Sequence, residues 1–139
     1  MPHQIDKLLK RKEYDIYNNT NIGDNEISEI AKAISVDKSL DLNECFNLLK
    51  CSSKFCWFNY LKILAEMPQE DITRGLPILF ELLQDSNWPT FQKTMEIFGT
   101  IDKQAFEPYL DKYLARAYAE DDEMWIANIQ LLAEKVKET

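Results

Sequence analysis

The sequence contains a single histidine, His3, and only three glycines, which stand apart at positions 23, 75 and 99. Because we expect the N-terminus to fray, His3 cannot support a Ser-His-Asp triad, a Cys-His pair or a histidine-based metal site. Isolated glycines exclude a glycine-rich loop that cradles a phosphate. We therefore expect no cofactor, no metal and no catalytic residue, and a protein that is not an enzyme.

Cysteine is scarce as well, and Cys45, Cys51 and Cys56 form an odd number without a C-x-x-C spacing. A chain of this size is stable without disulfides, so reduced thiols with a structural role are expected. No signal peptide is visible, and the longest apolar stretch, residues 76–80, is far shorter than the roughly 20 residues that span a bilayer. The sequence predicts a soluble, cytoplasmic protein with no membrane partner.

Basic residues are outnumbered, since 16 Lys and Arg stand against 24 Asp and Glu, a formal charge of −8. Such a chain repels phosphate backbones, whose binding depends on Lys and Arg, so we expect no nucleic-acid partner. Hydrophobic residues make up 45% of the chain, which is enough for a packed core. The length fits a single helical-repeat domain over residues 1–139, with residues 1–22 less ordered than the rest.

Apolar residues recur at helical rather than strand spacing, which predicts an all-α fold. The clearest amphipathic pattern is Ile27, Ile30, Ala31 and Ile34, while residues 55–67 are apolar on nearly every side and predict a central, buried helix. The predicted helices cover residues 4–13, 24–34, 39–50, 52–67, 77–84, 87–99, 108–118 and 120–136.

Capping residues and prolines set the predicted helix ends. Asp24, Ser39 and Asn87 are the predicted N-caps, and Gly99 is placed at a C′ position. Prolines at first helical positions are Pro77, Pro89 and Pro108.

A repeat is suggested by two equal spacings, because Trp57 and Trp88 lie 31 residues apart and so do Pro77 and Pro108. Chance placement of three Trp and five Pro is the alternative. We favour a HEAT/armadillo-like α-solenoid of about three helical hairpins, at residues 40–67, 76–98 and 106–136, with the earlier helix as an N-terminal cap. The concave face and inter-helix loops of such a stack bind other macromolecules.

Acidic residues concentrate in the predicted turns, at Glu70 and Asp71, at Asp85 and in the run that begins at Glu120. These acids form either an ordinary solvated surface or a recognition surface for a basic partner. Trp88 has two interpretations as well. It packs between the helices of its pair, or, if exposed, it serves as a binding anchor.

The segment 76–89, LPILFELLQDSNWP, resembles an uncharacterised bacterial family of small HEAT-like helical proteins in which an LLQDxNWP turn joins two helices. The similarity continues through Tyr109 and Leu110 to the acidic run and Trp125, and so covers roughly the C-terminal half. Members of that family look like immunity proteins of bacterial toxin systems, including contact-dependent growth inhibition. The resemblance implies the fold and a partner but supplies no catalytic residues.

The sequence therefore predicts an immunity protein that neutralises a cognate toxin, a basic nuclease domain, by stoichiometric occlusion through an acidic surface. The alternatives are a general helical-repeat adaptor for protein partners and, with less support, a carboxylate-dependent enzyme. The predicted partner-binding residues are Asp85, Trp88, Glu120, Asp121, Asp122 and Glu123.

Overall fold

The computed structural model describes residues 8–137, apart from the side chains at positions 43, 44, 136 and 137. Within this part the chain is helical and has no strand, which confirms the all-α prediction. None of the described helices is long and apolar enough to cross a membrane. The α-helices are α1 (Asp24–Val36), α2 (Leu42–Cys45), α3 (Trp57–Ala65), α4 (Gln69–Ile72), α5 (Leu76–Glu81), α6 (Phe91–Phe98), α7 (Lys103–Ala119) and α8 (Glu123–Lys137).

Contacts between Cα atoms divide the chain into two compact units, Met1–Arg74 and Gly75–Thr139. The single domain over residues 1–139 stays a prediction. His3 and the beginning of the predicted helix 4–13 lie outside the described residues, and the last two positions of that helix belong to a 3-10 turn, Lys12–Tyr14.

In the first unit, α1 packs against α3. The predicted apolar face of α1 is confirmed, because all four of its residues are buried. Asp24 is not the N-cap, however. The N–H of Ile27 donates to the Gly23 carbonyl at 3.0 Å, so the first helical hydrogen bond starts one residue earlier and Asp24 lies inside the first turn. An acid there interacts favourably with the helix dipole.

The predicted helix over residues 39–50 is wrong, because α2 ends at Cys45 and Leu49 is 93% exposed. Two short polar side chains account for the difference. Asp37 accepts hydrogen bonds from the N–H and hydroxyl of Ser39, so Ser39 is not a cap, and Asn47 accepts from the N–H of Leu49 at 3.0 Å. Such local bonds compete with helical backbone bonding.

The helix predicted over residues 52–67 forms as a 3-10 turn, Lys54–Cys56, followed by α3. Most of α3 is buried, as expected, although Phe55 just before it is 59% exposed. Asn59 is a buried polar residue on α3 whose amide donates to the carbonyls of Ile16 at 2.9 Å and Asn19 at 2.8 Å. This side chain thus fastens the N-terminal segment to the helix.

The C-terminal end of α1 is closed by a side chain distant in sequence. The Arg74 guanidinium donates to three carbonyls, those of Ile34 at 3.0 Å, Asp37 at 2.9 Å and Leu40 at 3.0 Å. The Ile34 carbonyl also accepts from the N–H of Asp37 at 3.2 Å, and the Asp37 carbonyl accepts from the N–H of Leu40 at 3.3 Å, so the planar fork of Arg74 adds a second donor to both.

Asp71 lies beside this guanidinium with its side chain only 2% exposed. It forms ion pairs with Arg74 at 3.3 Å and with Lys38. Burial raises the pKa of the Asp71 carboxyl, but the hydrogen bonds and charges of Lys38 and Arg74 outweigh that effect and leave the pKa below its ordinary value. Asp71, which the sequence placed in an acidic turn, therefore forms structural ion pairs within the first unit.

In the second unit, α7 packs along α8, in keeping with the predicted pair over residues 106–136. The core of this unit is aromatic. The Phe80 ring of α5 stacks on Tyr113 with centroids 4.8 Å apart and meets Phe98 edge to face at 5.1 Å, and Phe98 in turn contacts Phe106 at 5.3 Å. Offset and edge-to-face pairs of this kind add to the stability gained by burial.

Several predicted helix ends in this unit are wrong. Asn87 and Pro89 precede α6, which begins at Phe91 after Thr90, and Gly99 is a right-handed C-cap with φ −65°. The Asp102 carboxylate caps α7 by accepting from the N–H of Gln104 at 3.0 Å, so Pro108 falls inside the helix.

The two equal spacings do not mark equivalent positions. Pro77 is the second residue of α5, whereas Pro108 is the sixth of α7. Trp57 opens α3, whereas Trp88 precedes its helix by three residues.

Replacing Arg74 tests the helix closure. We expect Arg74→Ala to lower the free energy of unfolding by about 3–5 kcal/mol, because it removes one of the two ion-pair partners of the buried Asp71 carboxylate together with three hydrogen bonds to backbone carbonyls. Arg74→Lys restores the charge without the fork and should recover only part of the loss. Urea unfolding measures both, and a cost of Arg74→Ala below about 1 kcal/mol, as for a surface ion pair, would contradict this role.

The Asp71 pair also predicts acid sensitivity. Because its pKa is lower in the folded than in the unfolded chain, its stabilisation is present above the ordinary Asp value of about 3.9 and is lost as the pH falls through the folded value. Between about pH 5 and about pH 3 the unfolding free energy of Asp71→Asn should fall less steeply than that of the unchanged protein. Asp111→Asn, on an exposed residue, is the control and should keep the original slope.

Candidate functional site

Two acidic segments far apart in sequence meet on the second unit: the end of α5 with the loop that follows it, which contains Glu81 and Asp85, and residues 120–123 between α7 and α8. The N–H of Ser86, in the loop between α5 and α6, donates to Met124 Sδ at 3.4 Å. The Asn128 amide of α8 donates to the Leu83 carbonyl at 2.7 Å and so holds the same loop against α8. We call the surface formed there the acidic turn surface; its residues are Glu81, Asp85, Glu120, Asp121, Asp122 and Glu123.

Trp125 anchors this arrangement from inside the unit. Its side chain is fully buried, and its indole N–H donates to the Phe80 carbonyl at 2.9 Å. A buried indole that lacks an acceptor would cost free energy, so this bond favours one position of α8 relative to the end of α5. The beginning of α8 is therefore held beside the α5–α6 loop.

The turn between α7 and α8 has a specific backbone geometry. Asp121 has φ +56°, its N–H donates to the Tyr118 carbonyl at 3.1 Å, and the N–H of Asp122 donates to the Ala117 carbonyl at 3.0 Å. These two bonds define a Schellman motif, in which the left-handed residue is commonly Gly and sometimes a short polar residue. Asp121 thus ends α7 and presents an exposed carboxylate.

Asp122 begins the next helix. Its carboxylate accepts from the N–H of Trp125 at 3.1 Å, which is the hydrogen bond of an N-cap. Glu123 follows as the first residue of α8, is exposed, and interacts favourably with the helix dipole. The acidic run at residues 120–123 was predicted to open the last helix, but only Asp122 and Glu123 do so, because Glu120 and Asp121 end α7.

Asp85 and Trp88 belong to the α5–α6 loop. The half-buried Asp85 accepts from the N–H of Asn87 at 2.8 Å, which closes an Asx turn ahead of α6. Trp88 is half-buried, and its N–H donates to the Asp85 carbonyl at 3.1 Å. Trp88 is therefore neither fully packed between helices nor fully exposed as a binding anchor, the two interpretations that the sequence left open.

Arg116 lies among the acids as their cation. It pairs with Glu120 at 2.9 Å and with Glu81 at 3.4 Å, and its guanidinium lies 5.2 Å from the centre of the Trp125 ring. Burial lowers the pKa of Arg116, but the hydrogen bonds and charges of Glu120 and Glu81 outweigh it and raise the pKa. Glu120 is thus partly neutralised, whereas no ion pair with a described base is formed by Asp121 or Glu123.

Exposed apolar side chains adjoin these acids. Met124 is 42% exposed, and Tyr118 is 56% exposed, with its hydroxyl accepting from the Gln130 amide at 3.4 Å. Sequence reasoning missed Glu81, Tyr118 and Met124, since their proximity to the turn depends on packing. The four-residue spacing of Arg116 and Glu120 is the one local signal that points to an ion pair here.

Charge is unequally distributed between the two units. Residues 75–139 contain twelve acidic and six basic side chains, whereas residues 1–74 contain twelve and ten. The second unit therefore contributes −6 of the total charge of −8. Among the described residues no group of three His, Cys, Asp or Glu side chains is arranged to hold a metal ion. The arrangement suits recognition of a positively charged surface.

The fold and the geometry together describe an all-α unit that carries an acidic surface where a loop and a turn meet. Residues 57–139 match the model of a family described as a domain of unknown function, DUF5071. Because the match covers more than half of the chain, the protein belongs to this family. No curated protein and no solved structure matches the chain. The matched residues include the whole acidic turn surface.

The capping role of Asp122 predicts a stability cost. Asp122→Ala should lower the free energy of unfolding by about 0.5–2 kcal/mol, because the N–H of Trp125 loses its acceptor. Asp122→Ser keeps an acceptor at this position and should cost much less, although it removes the same charge. Thermal and urea unfolding compare the two variants, and equal losses would show that the charge rather than the cap is responsible.

Proposed function

We propose that the protein is an immunity protein of the cytoplasm that binds a cognate bacterial toxin and blocks it by stoichiometric occlusion. The toxin is a basic domain, a nuclease in the first instance, of a system such as contact-dependent growth inhibition. The observation that carries the proposal is that two acidic segments, from the α5–α6 loop and the α7–α8 turn, come together on one surface.

Charge supports this choice of partner. A nuclease cleft that binds phosphates is basic. A protein whose second unit carries a formal charge of −6 is attracted to this cleft and repelled by the nucleic acid that the nuclease cleaves. Opposite charges raise the rate of association, often by orders of magnitude at low salt. An inhibitor must reach the toxin before the toxin acts, so fast association serves this function directly.

The acids have different tasks in the proposed complex. Asp121 and Glu123 are exposed and form no ion pair with described bases, so they are the first contacts for a basic partner. Glu120 can exchange Arg116 for a cation of the toxin. Tyr118 and Met124 supply apolar area beside the charges, as binding hot spots require.

Preorganisation also favours recognition. Both segments are held by backbone and side-chain hydrogen bonds, including the Asx turn of Asp85 and the cap of Asp122. A surface that is already ordered loses little conformational entropy on binding. The acids can therefore meet a complementary surface without rearrangement of the turns.

The HEAT-like solenoid belongs to the same proposal. The α7–α8 hairpin has the form of one helical-repeat unit, and the resemblance of the LLQDSNWP turn to the small HEAT-like family implies further units. Solenoids of this kind bind partners through their concave face and loops. The acidic turn surface consists of such inter-helix loops.

The test uses the full chain and the basic domain encoded beside it. Calorimetry and stopped-flow mixing should show a one-to-one complex that slows as salt is raised, with loss of toxin activity. The variant Glu120→Gln/Glu123→Gln should associate about tenfold more slowly at low salt, because two exposed acids are neutralised without removing a cap.

The matched control is Glu107→Gln/Asp111→Asn, which removes the same charge from exposed positions of α7. Glu107 is thirteen residues from Glu120 on α7, roughly 20 Å away, so this variant should change association far less. Equal effects of the two variants would show that the total charge of the protein, and not the acidic turn surface, sets the association rate. Failure to bind any neighbouring toxin, together with capture of an unrelated protein partner, would favour the adaptor function instead.

A further inference from the structure

The second unit has an apolar pocket away from the acidic turn surface. It lies where the end of α6, the beginning of α7 and the last turns of α8 come together, and it has a volume of about 110 Å³. The lining residues are Met95, Phe98, Gly99, Ile101, Lys103, Phe106, Leu132 and Lys135.

Much of the wall of this pocket is apolar and belongs to the packed core. Phe98, Phe106 and Leu132 are buried, and the rings of Phe98 and Phe106 meet edge to face with centroids 5.3 Å apart. A buried apolar wall of this kind favours a compact hydrophobic group, because the group leaves water when it binds.

Two lysines make the pocket different from an ordinary surface depression. Lys103 and Lys135 line it and are exposed, and neither forms an ion pair with a described acid. By contrast, Lys93 of the same unit pairs with Glu96 at 3.7 Å. In a unit with twice as many acids as bases, two lysines without a described ion-pair partner beside one apolar pocket favour an anionic group there.

We propose that this pocket binds a small carboxylate whose body is an aromatic ring or a short alkyl chain. The body lies against Phe98, Phe106 and Leu132, and the carboxylate accepts hydrogen bonds from Lys103 and Lys135. The size fits, since an apolar cavity of about 150 Å³ holds a benzene molecule and this slightly smaller pocket is open to solvent. The proposal is independent of toxin binding.

The probe for the test is 3-phenylpropanoate, with its neutral amide, 3-phenylpropanamide, as the matched ligand. Titration followed by ¹H–¹⁵N NMR should shift amides of residues 95–106 and 132–135, with a dissociation constant on the order of 1 mM, as expected for so small a ligand. The amide should bind about tenfold more weakly, and raised salt should weaken the carboxylate alone.

Variants separate the two parts of the pocket. Lys103→Gln and Lys135→Gln should each weaken the carboxylate about tenfold and leave the amide unchanged. Met95→Trp, at a half-buried position of the wall, should abolish binding of both ligands by filling the pocket. Lys62→Gln changes an exposed lysine of the first unit and is the control for charge.

Three results would overturn the proposal. The first is an absence of shifts around the pocket at millimolar probe. The second is equal affinity for the acid and the amide, and the third is an effect of Lys62→Gln as large as that of Lys103→Gln.

Discussion

The hydrogen bond from the buried Trp125 indole to the Phe80 carbonyl is the contact on which the second unit depends. It ties the beginning of α8 to the end of α5, and these are the elements that adjoin the two acidic segments. Because the indole is fully buried, water cannot replace the carbonyl, and other positions of α8 leave a polar group unsatisfied. The proximity of Ser86 to Met124 follows from this constraint.

The acids of this surface differ in how much the fold depends on them. Asp122 and Asp85 satisfy backbone N–H groups, so their carboxylates are first of all structural. Asp121 ends α7 in a left-handed conformation, Glu120 pairs with Arg116 at the surface, and Glu123 is exposed in the first turn of α8. A surface in which some acids hold the turns and others face outward keeps its shape while it offers charge.

Local patterns predicted what depends on local physics. The buried face of α1, the pairing of α7 with α8 and the acidic start of α8 follow from helical spacing and dipole preferences. Two predictions were wrong because short polar side chains bond to nearby backbone groups. Asn47 interrupts the helix predicted over residues 39–50, and Asp102 starts α7 ahead of Pro108. Prolines and tryptophans at equal spacing proved to lie at unlike helix positions, since composition alone does not fix a register.

Part of the candidate site could be predicted from the sequence. Five acids and Trp88 could be named from turn positions, charge and aromatic character. Their meeting could not be predicted, because it depends on Asn128 and Trp125 donating to carbonyls 45 residues away. Arg74 closing α1 is a similar case in the first unit. Long-range bonds to backbone carbonyls leave no mark in spacing or composition, since every residue carries such an acceptor.

We propose that a basic protein binds at the acidic turn surface. Hydrogen–deuterium exchange can be compared between the free full chain and the chain saturated with a basic toxin domain that it binds. Protection on binding should concentrate in residues 81–88 and 116–124 and leave α3 unchanged. Protection confined to other elements, with these two segments exchanging as in the free protein, would contradict it.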